Sequence, residues 1–423
     1  MNTIRKNWSV VLSTLIILQI TTGAHAVKVE LSGHIEGQAR WFPSSPAYPT
    51  QKKSRESVSF ALEPEWKYLT RDRRHDFKIS PFIRYDAEDK ERTHVDIREL
   101  YWLYKGDEWE ILAGINQVFW GVAESRHLVD IINQTDLVED LDEEDKLGQP
   151  MIRLTMELKS ELKLAQAPQK STRTQQQDLG KLTLFLMPGF RERTFPGSKA
   201  RLSTPFPVDQ DTARFPGGAS KDRIDLALRY SHTIGDWDIG LHYFHGNSRE
   251  PSLIPDLARG RLIPQYDLIN QLGVDIQYTS DAWLGKFEGI IREGQGKTFG
   301  ALVAGIEYTN YQIFESDADL GLLVEYLHDG RDDNFAPKTI FDNDIFLGTR
   351  LSLNDTQSTQ VLAGIVSDIE TSEYSFSLEA ERRINNNIKL ELLVRAFGAS
   401  DPKDTLASIE EDDYAQVSVF YHF

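Results

Sequence analysis

From Val27 onward, apolar and polar residues alternate without a break. Val27, Val29, Leu31, Gly33, Ile35, Gly37, Ala39 and Trp41 fall on one parity, and Lys28, Glu30, Ser32, His34, Glu36, Gln38 and Arg40 on the other. A period of two places successive side chains on opposite faces of a strand. The run is far longer than the ~5–6 residues usual for a strand in a soluble sheet. The pattern returns at Val58-Phe60-Leu62-Pro64-Trp66-Tyr68 and at Phe77-Ile79-Pro81-Ile83-Tyr85. The same reading predicts strands at 93–105, 108–120, 150–160, 180–189, 223–234, 236–246, 268–280, 282–294, 297–312, 319–329, 343–354, 358–369, 373–384, 387–398 and 412–423. These make about eighteen, most of them near the ~9–11 residues that a tilted strand needs to cross a bilayer.

Short polar turns, such as Lys105-Gly106-Asp107 and Ile234-Gly235-Asp236, separate pairs of strands. Longer irregular segments fall between those pairs, at 121–149, 190–222, 247–266, 330–342 and 399–411. Short turns on one rim and long loops on the other are the habit of outer-membrane barrels. An even strand count places every long loop on one side and both chain ends on the other, with the Gln-rich stretch 161–179 as the exception. The expected fold is therefore all-β, a transmembrane antiparallel up-and-down β-barrel of about 18 strands over residues 27–423. Trp41, Trp66, Tyr68, Tyr85, Trp237, Tyr243, Tyr278, Trp283, Tyr308 and Tyr326 fall mostly near strand ends on the apolar parity, as interfacial girdles require. The last strand alternates Ala415, Val417, Val419, Tyr421 and Phe423 with Gln416, Ser418, Phe420 and His422 and stops at an aromatic. It resembles the terminal strand of Gram-negative outer-membrane proteins. That resemblance implies recognition of Phe423 by the barrel-assembly machinery.

Composition changes the picture less than the N-terminus does. The chain has 423 residues, no cysteine and a formal charge of −18. The acidic excess and the lack of any basic tract argue against nucleic acid as a partner, and the missing cysteine excludes a disulfide framework or thiolate metal site. Beyond the N-terminus no apolar run is long enough for a membrane helix. Residues 1–26 read as a secretory signal peptide, with Arg5 and Lys6 in the charged region, Val10 to Ile20 apolar, and Ala24-His25-Ala26 as the cleavage site. Cleavage would remove two positive charges, leaving −20. The expected location is the bacterial outer membrane, with its lipid and lipopolysaccharide as surroundings.

Candidate chemistry concentrates near one loop. Acids and bases are nearly balanced along the inward parity, where Arg84 and Arg98 lie, so the wall alone has neither a one-sided basic ladder nor an acidic ring. Segment 121–149 mixes apolar Leu128, Val129, Ile131 and Ile132 with many charges, too apolar for a free surface loop. It is expected to fold into the barrel and narrow the pore, with Trp120, Arg126, His127, Asp130, Asn133 and Asp136 at the constriction. Its acidic run 139–145 lacks the spaced glycine of a Ca²⁺ loop, and no metal or cofactor is expected. The next long segment carries Arg191 and Arg193, the expected counter-charge. Glu99 and Arg382 fall on the lipid-facing parity; either a bulge near Arg98 or a different register of this strand would bring Glu99 inside, and Arg382 is near enough to a strand end to snorkel.

The run Leu112-Ala113-Gly114-Ile115-Asn116-Gln117-Val118-Phe119-Trp120-Gly121, preceded by Arg98-Glu99-Leu100-Tyr101-Trp102, resembles a strand pair of the large outer-membrane porins related to the alginate-export family. The resemblance implies a barrel with an inward-folded loop; it does not imply a polyuronate substrate, because a one-sided basic lumen is missing. The expected function is a passive diffusion channel for small hydrophilic or charged solutes, not an enzyme. The alternatives are a phospholipase-like barrel using His245-Gly246-Asn247-Ser248, and a structural or adhesin barrel with a sealed lumen. His245 and Ser248 are three apart, hence on opposite strand faces. Deleting residues 128–145 should raise single-channel conductance in planar bilayers, and an unchanged conductance would count against an inward-folded loop.

Overall fold

The computed structural model describes residues 28–164, 173–371, 373–401 and 404–423. The expected signal peptide and the centre of the Gln-rich stretch lie outside them. The strands are β1 Lys28–Trp41, β2 Glu56–Leu69, β3 His75–Asp86, β4 His94–Lys105, β5 Trp109–Asn116, β6 Gln149–Leu164 and β7 Arg173–Pro188. They continue with β8 Ile224–Ile234, β9 Trp237–Asn247, β10 Ser252–Asp256, β11 Arg261–Gln265, β12 Leu268–Ser280 and β13 Trp283–Glu293. The chain ends with β14 Phe299–Asn310, β15 Asp319–Asp329, β16 Asn343–Ser352, β17 Gln360–Asp368, β18 Tyr374–Arg383, β19 Ile388–Gly398 and β20 Tyr414–His422.

Eighteen of these form one sheet, each pairing antiparallel with its neighbours in sequence, and β1 closes the barrel by pairing with β20 from His34 opposite His422 to Trp41 opposite Ala415. The Phe423 N–H donates to the Gly33 carbonyl at 3.1 Å, so the final residue is part of the seam. Closure leaves no unpaired edge strand, as a barrel in a bilayer requires. The hairpin β10–β11 stands apart from the barrel, inside a segment read from sequence as loop.

The parity reading holds along the outer face, where Leu272, Ile291, Leu322 and Val324 are exposed while their neighbours point in. Aromatics decorate the short-turn rim in contacting pairs: Trp237 with Tyr278 at 4.5 Å, Trp283 with Tyr308 at 4.6 Å and Tyr104 with Trp109 at 5.3 Å. The β3–β4 register shifts at Ser80/Pro81, where Ser80 faces Glu99 and Pro81 faces Ile97, leaving Arg98 as the extra residue. This bulge reverses the parity of β4. Val95 and Ile97 point outward before it, Leu100 and Trp102 after it, and Glu99 turns inward to meet Lys78 at 2.5 Å. Arg382 stays exposed and bonds Thr359 at 2.7 Å and Asp355 at 3.1 Å beside the short-turn rim.

Three strand ends differ from the sequence reading by four residues or more. β5 stops at Asn116 rather than at Trp120 because the next four residues leave the sheet to enter the lumen. β6 and β7 run on to Leu164 and from Arg173, consuming most of the stretch read as an insertion.

The interior also differs: it is not uniformly polar. Leu112, Met151, Phe185, Met187, Ala227, Phe244, Ile269, Ile290, Val303, Leu323, Leu327 and Phe346 face inward and pack with Leu128, Val129, Ile131 and Ile132 into one core. One arc of the barrel is therefore filled like a soluble domain. Truncating Ile132, which is 1% exposed, to alanine should cost about 2–5 kcal/mol, read as a lower urea midpoint in detergent micelles. Leu272→Ala, on the exposed outer face, should shift the midpoint less; equal shifts would contradict the packed arc.

Candidate functional site

The segment 117–148 leaves β5 with its backbone outside the ladders of the barrel, apart from one bridge of its own between Thr135 and Lys146, and a buried N–H without an acceptor is costly. Its own polar side chains solve this at the neck. Asn133 accepts from the Val118 N–H at 2.9 Å and donates to the Asn116 and Leu147 carbonyls at 2.8 and 2.9 Å. Asp130 accepts from the Trp120 and Gly121 N–H groups at 2.6 and 3.0 Å. A side chain at Gly121 would collide with the His127 ring, so the turn needs glycine there.

Further along, the wall supplies the acceptors. Glu288 on β13 takes the N–H groups of Val122, Ala123 and Val129 at 2.6, 2.9 and 3.2 Å. Glu325 on β15 takes those of Glu124 and Ser125, both at 2.8 Å, and the Ser125 hydroxyl. Glu124 then meets Arg350 of β16 at 2.7 Å and Lys286 of β13 at 3.2 Å. The returning arm is held by arginines: Arg98 to Asp136 at 2.7 Å, Arg84 to Glu139 at 2.7 Å, and Arg395 of β19 to Asp142 at 2.6 Å. The segment thus spans the lumen from wall to wall.

Its titratable groups are shifted accordingly. Burial disfavours the His127 imidazolium, but Glu288, 3.7 Å from Nδ1, together with Asp130 and Glu144, outweighs it and raises the ring to about 9. Burial also opposes ionisation of Asp136, yet His94, Arg98 and Thr194 hold its carboxyl down to about 2. Enclosure and the charges of Glu139 and Asp140 push Asp145 up to about 7.

Between the segment's acidic edge and the inner faces of β1–β4 and β16–β20 lies a cavity of about 490 Å³. Glu139, Asp140, Asp142 and Asp145 line one side, and Arg84, Arg92, Arg98 and Arg395 are among the groups opposite. A second space of about 400 Å³ along the segment is bordered by Phe119, His127, Asp130, Glu144 and the same Asp140, Asp142 and Asp145.

The residues singled out from sequence divide into two sets. Arg84, Arg98, His127 and Asp130 line these spaces. Trp120 instead packs beneath Arg229 and against Phe185 and His242, while Asn133 ties the neck. Asp136 is fully buried against Arg98. Arg126 pairs with Asp329 at 3.2 Å. Arg191 bonds Asp96 of β4 at 2.7 Å, and Arg193 bonds Glu143 at 2.8 Å, so of these two only Arg193 pairs with the acidic run. Arg395, Asp142 and Asp145 were not singled out. The crowding of acids at 139–145 was the available signal, but an aqueous loop would show it too.

The other groups weighed from sequence are not assembled. Ser248 donates to the Glu250 carbonyl and accepts from Gln295, whereas the His245 ring contacts Arg223 and Asn270. His242 is buried inward against Trp120, on the face opposite His245.

No protein-family model matches the sequence, and no curated protein does, so the alginate-export resemblance rests on its quoted residues alone. Among solved structures, the chain is similar to a triple mutant of Rhodopseudomonas blastica porin, with 10% identity and TM-score 0.45, over 94% of this chain and 100% of that one. A second mutant of the same porin gives 10% identity and TM-score 0.44 with the same coverage. Neither likeness carries a functional argument at these values, so function is argued from geometry.

The His127 ring C2 proton should titrate near pH 9 by NMR. Glu288→Gln removes the partner charge and should lower that midpoint by ~1 unit or more. A midpoint left near 9 would show that Glu288 is not the cause.

Proposed function

We propose that this chain is a porin of the bacterial outer membrane, a channel for passive diffusion of small hydrophilic or charged solutes with a preference for cations. The observation that carries this reading is the charge-lined cavity left inside a closed barrel by a segment fastened across its lumen. The apolar outer face with its aromatic rim supports a bilayer around the barrel. Phe423, in the closing seam, is the residue we assign to recognition by the assembly machinery, and lipopolysaccharide is the expected neighbour of the long-loop rim.

Size and charge supply the selectivity. A cavity of about 490 Å³ falls in the ~300–1,000 Å³ range of small-molecule sites, so solutes of that scale would pass singly. Nine carboxylates and five guanidinium groups line it among the described residues. The guanidinium groups are already engaged: Arg84 by Glu36 and Glu139, Arg92 by Asp86, Arg98 by Asp96 and Asp136, Arg350 by Glu124, and Arg395 by Asp142. What remains for a passing solute is a surplus of negative charge, which favours cations. The wall was nearly neutral by sequence; the inserted segment tips the balance.

The test is the reversal potential of the purified protein in planar bilayers under a salt gradient. Cation selectivity is expected at pH 8. It should weaken toward pH 6 as Asp145 takes up a proton, because a carboxyl raised to about 7 is charged above that pH and neutral below it. Asp145→Asn should flatten the profile over this window. Anion selectivity would overturn the cation preference, and absence of conductance would favour a structural barrel.

A further inference from the structure

At the long-loop rim, away from the constriction, Asp342, Asp344 and Asp368 bring one carboxylate oxygen each within 4.8 Å of one another. Asp344 of β16 and Asp368 of β17 are direct cross-strand partners. Like charges so placed repel and destabilise a sheet. Asp344 is 2% exposed, and its Oδ2 is buried with no hydrogen-bond partner. A buried carboxylate oxygen left bare is a strong demand for a cation or a proton.

The neighbours do not meet that demand. Asp368 accepts the Glu370 and Thr371 N–H groups at 2.6 and 2.5 Å and Asp342 accepts that of Asn343 at 3.0 Å, which satisfies part of each group, whereas Asp344 Oδ2 is left without a donor. Glu373, also buried, adds a fourth carboxylate nearby and accepts from the Leu406 N–H. No salt bridge reaches Asp342, Asp344, Asp368 or Glu373 among the described residues. The other compact group of this kind is a useful contrast. His94, Asp136 and Glu139 also lie within 4.8 Å of one another, but Arg98 and Arg84 already neutralise its two carboxylates.

We propose that Asp342, Asp344 and Asp368 form a calcium site. The donors are all oxygen, which selects a hard cation, and they come from a loop end and two strands, a setting that tolerates the variable 6–8-fold shell of Ca²⁺ better than the strict octahedron of Mg²⁺. A cavity of about 320 Å³ bordered by Tyr326, Arg331, Asp342, Asn343 and Glu370 reaches the cluster at Asp342, its exposed edge. Bound there, Ca²⁺ would join the end of the 330–342 loop to the β16–β17 pair and convert a repulsive cross-strand contact into a clamp.

The test uses the full-length barrel in detergent after chelator treatment, with Ca²⁺ titrated by calorimetry and melting followed by circular dichroism. Wild type should bind Ca²⁺ and melt higher with it. Asp344→Asn and Asp368→Asn should each weaken binding at least ~10-fold. In chelator, Asp344→Asn should melt at or above wild type, since one repelling charge is gone. Should that variant not fold, Asp342→Asn, at the exposed edge, reads the same loss of affinity. Ca²⁺ binding that is absent in wild type, or equal in wild type and the variants, would overturn the site. A variant melting lower in chelator would point to a shared proton instead, and a stronger response to Mg²⁺ would overturn the choice of ion.

Discussion

Backbone polar groups that leave a sheet inside a protein must find partners, and this requirement organises the whole interior of the barrel. The outgoing part of segment 117–148 has no ladder of the barrel to join, so two wall carboxylates do the work of a strand. Glu288 and Glu325 together accept five of its N–H groups. Charge-assisted bonds of this kind are about twice as strong as neutral ones. They fix where the segment runs, and hence which side of the lumen is filled and which is left as a passage.

Two kinds of contact share the task of holding it. Apolar burial against the β5–β16 arc supplies the non-directional part, and the arginine pairs supply position. Buried ion pairs gain little net stability, because desolvation offsets much of the Coulombic attraction. Breaking one side leaves an uncompensated charge, however, so Arg84, Arg98 and Arg395 make alternative placements of the segment costly. The same guanidinium groups that position the loop are thereby engaged by carboxylates, so that the architecture and the proposed charge preference have one origin.

The strand count, the closed antiparallel order and the rim asymmetry were legible because a period of two is a local property of the chain. Even the reversal at Arg98 left a local trace: Glu99 sat on the wrong parity, and a bulge was the reading that rescued it. The filled arc was harder to see. In Leu182-Thr183-Leu184-Phe185-Leu186-Met187 the alternation gives way to a nearly continuous apolar run, the mark of burial on both faces. A terminal strand of ordinary alternation and a doubly covered one differ only in that run. The pairing of Arg191 with Asp96 and of Arg395 with Asp142 was not legible, since each depends on how a long loop folds rather than on spacing along strands.

The doubly apolar character of β7 reaches beyond packing. Leu184 and Leu186 face outward while Phe185 and Met187 face the lumen, so until the inserted segment covers the second pair, either face of this stretch of β7 is equally fit to meet hydrocarbon. A sheet ordinarily knows its inside from its outside by polarity alone. Along this stretch of β7 that distinction is conferred by a piece of chain from elsewhere, whereas the neighbouring strands of the arc carry it themselves through inward Asp225, Glu288 and Glu325.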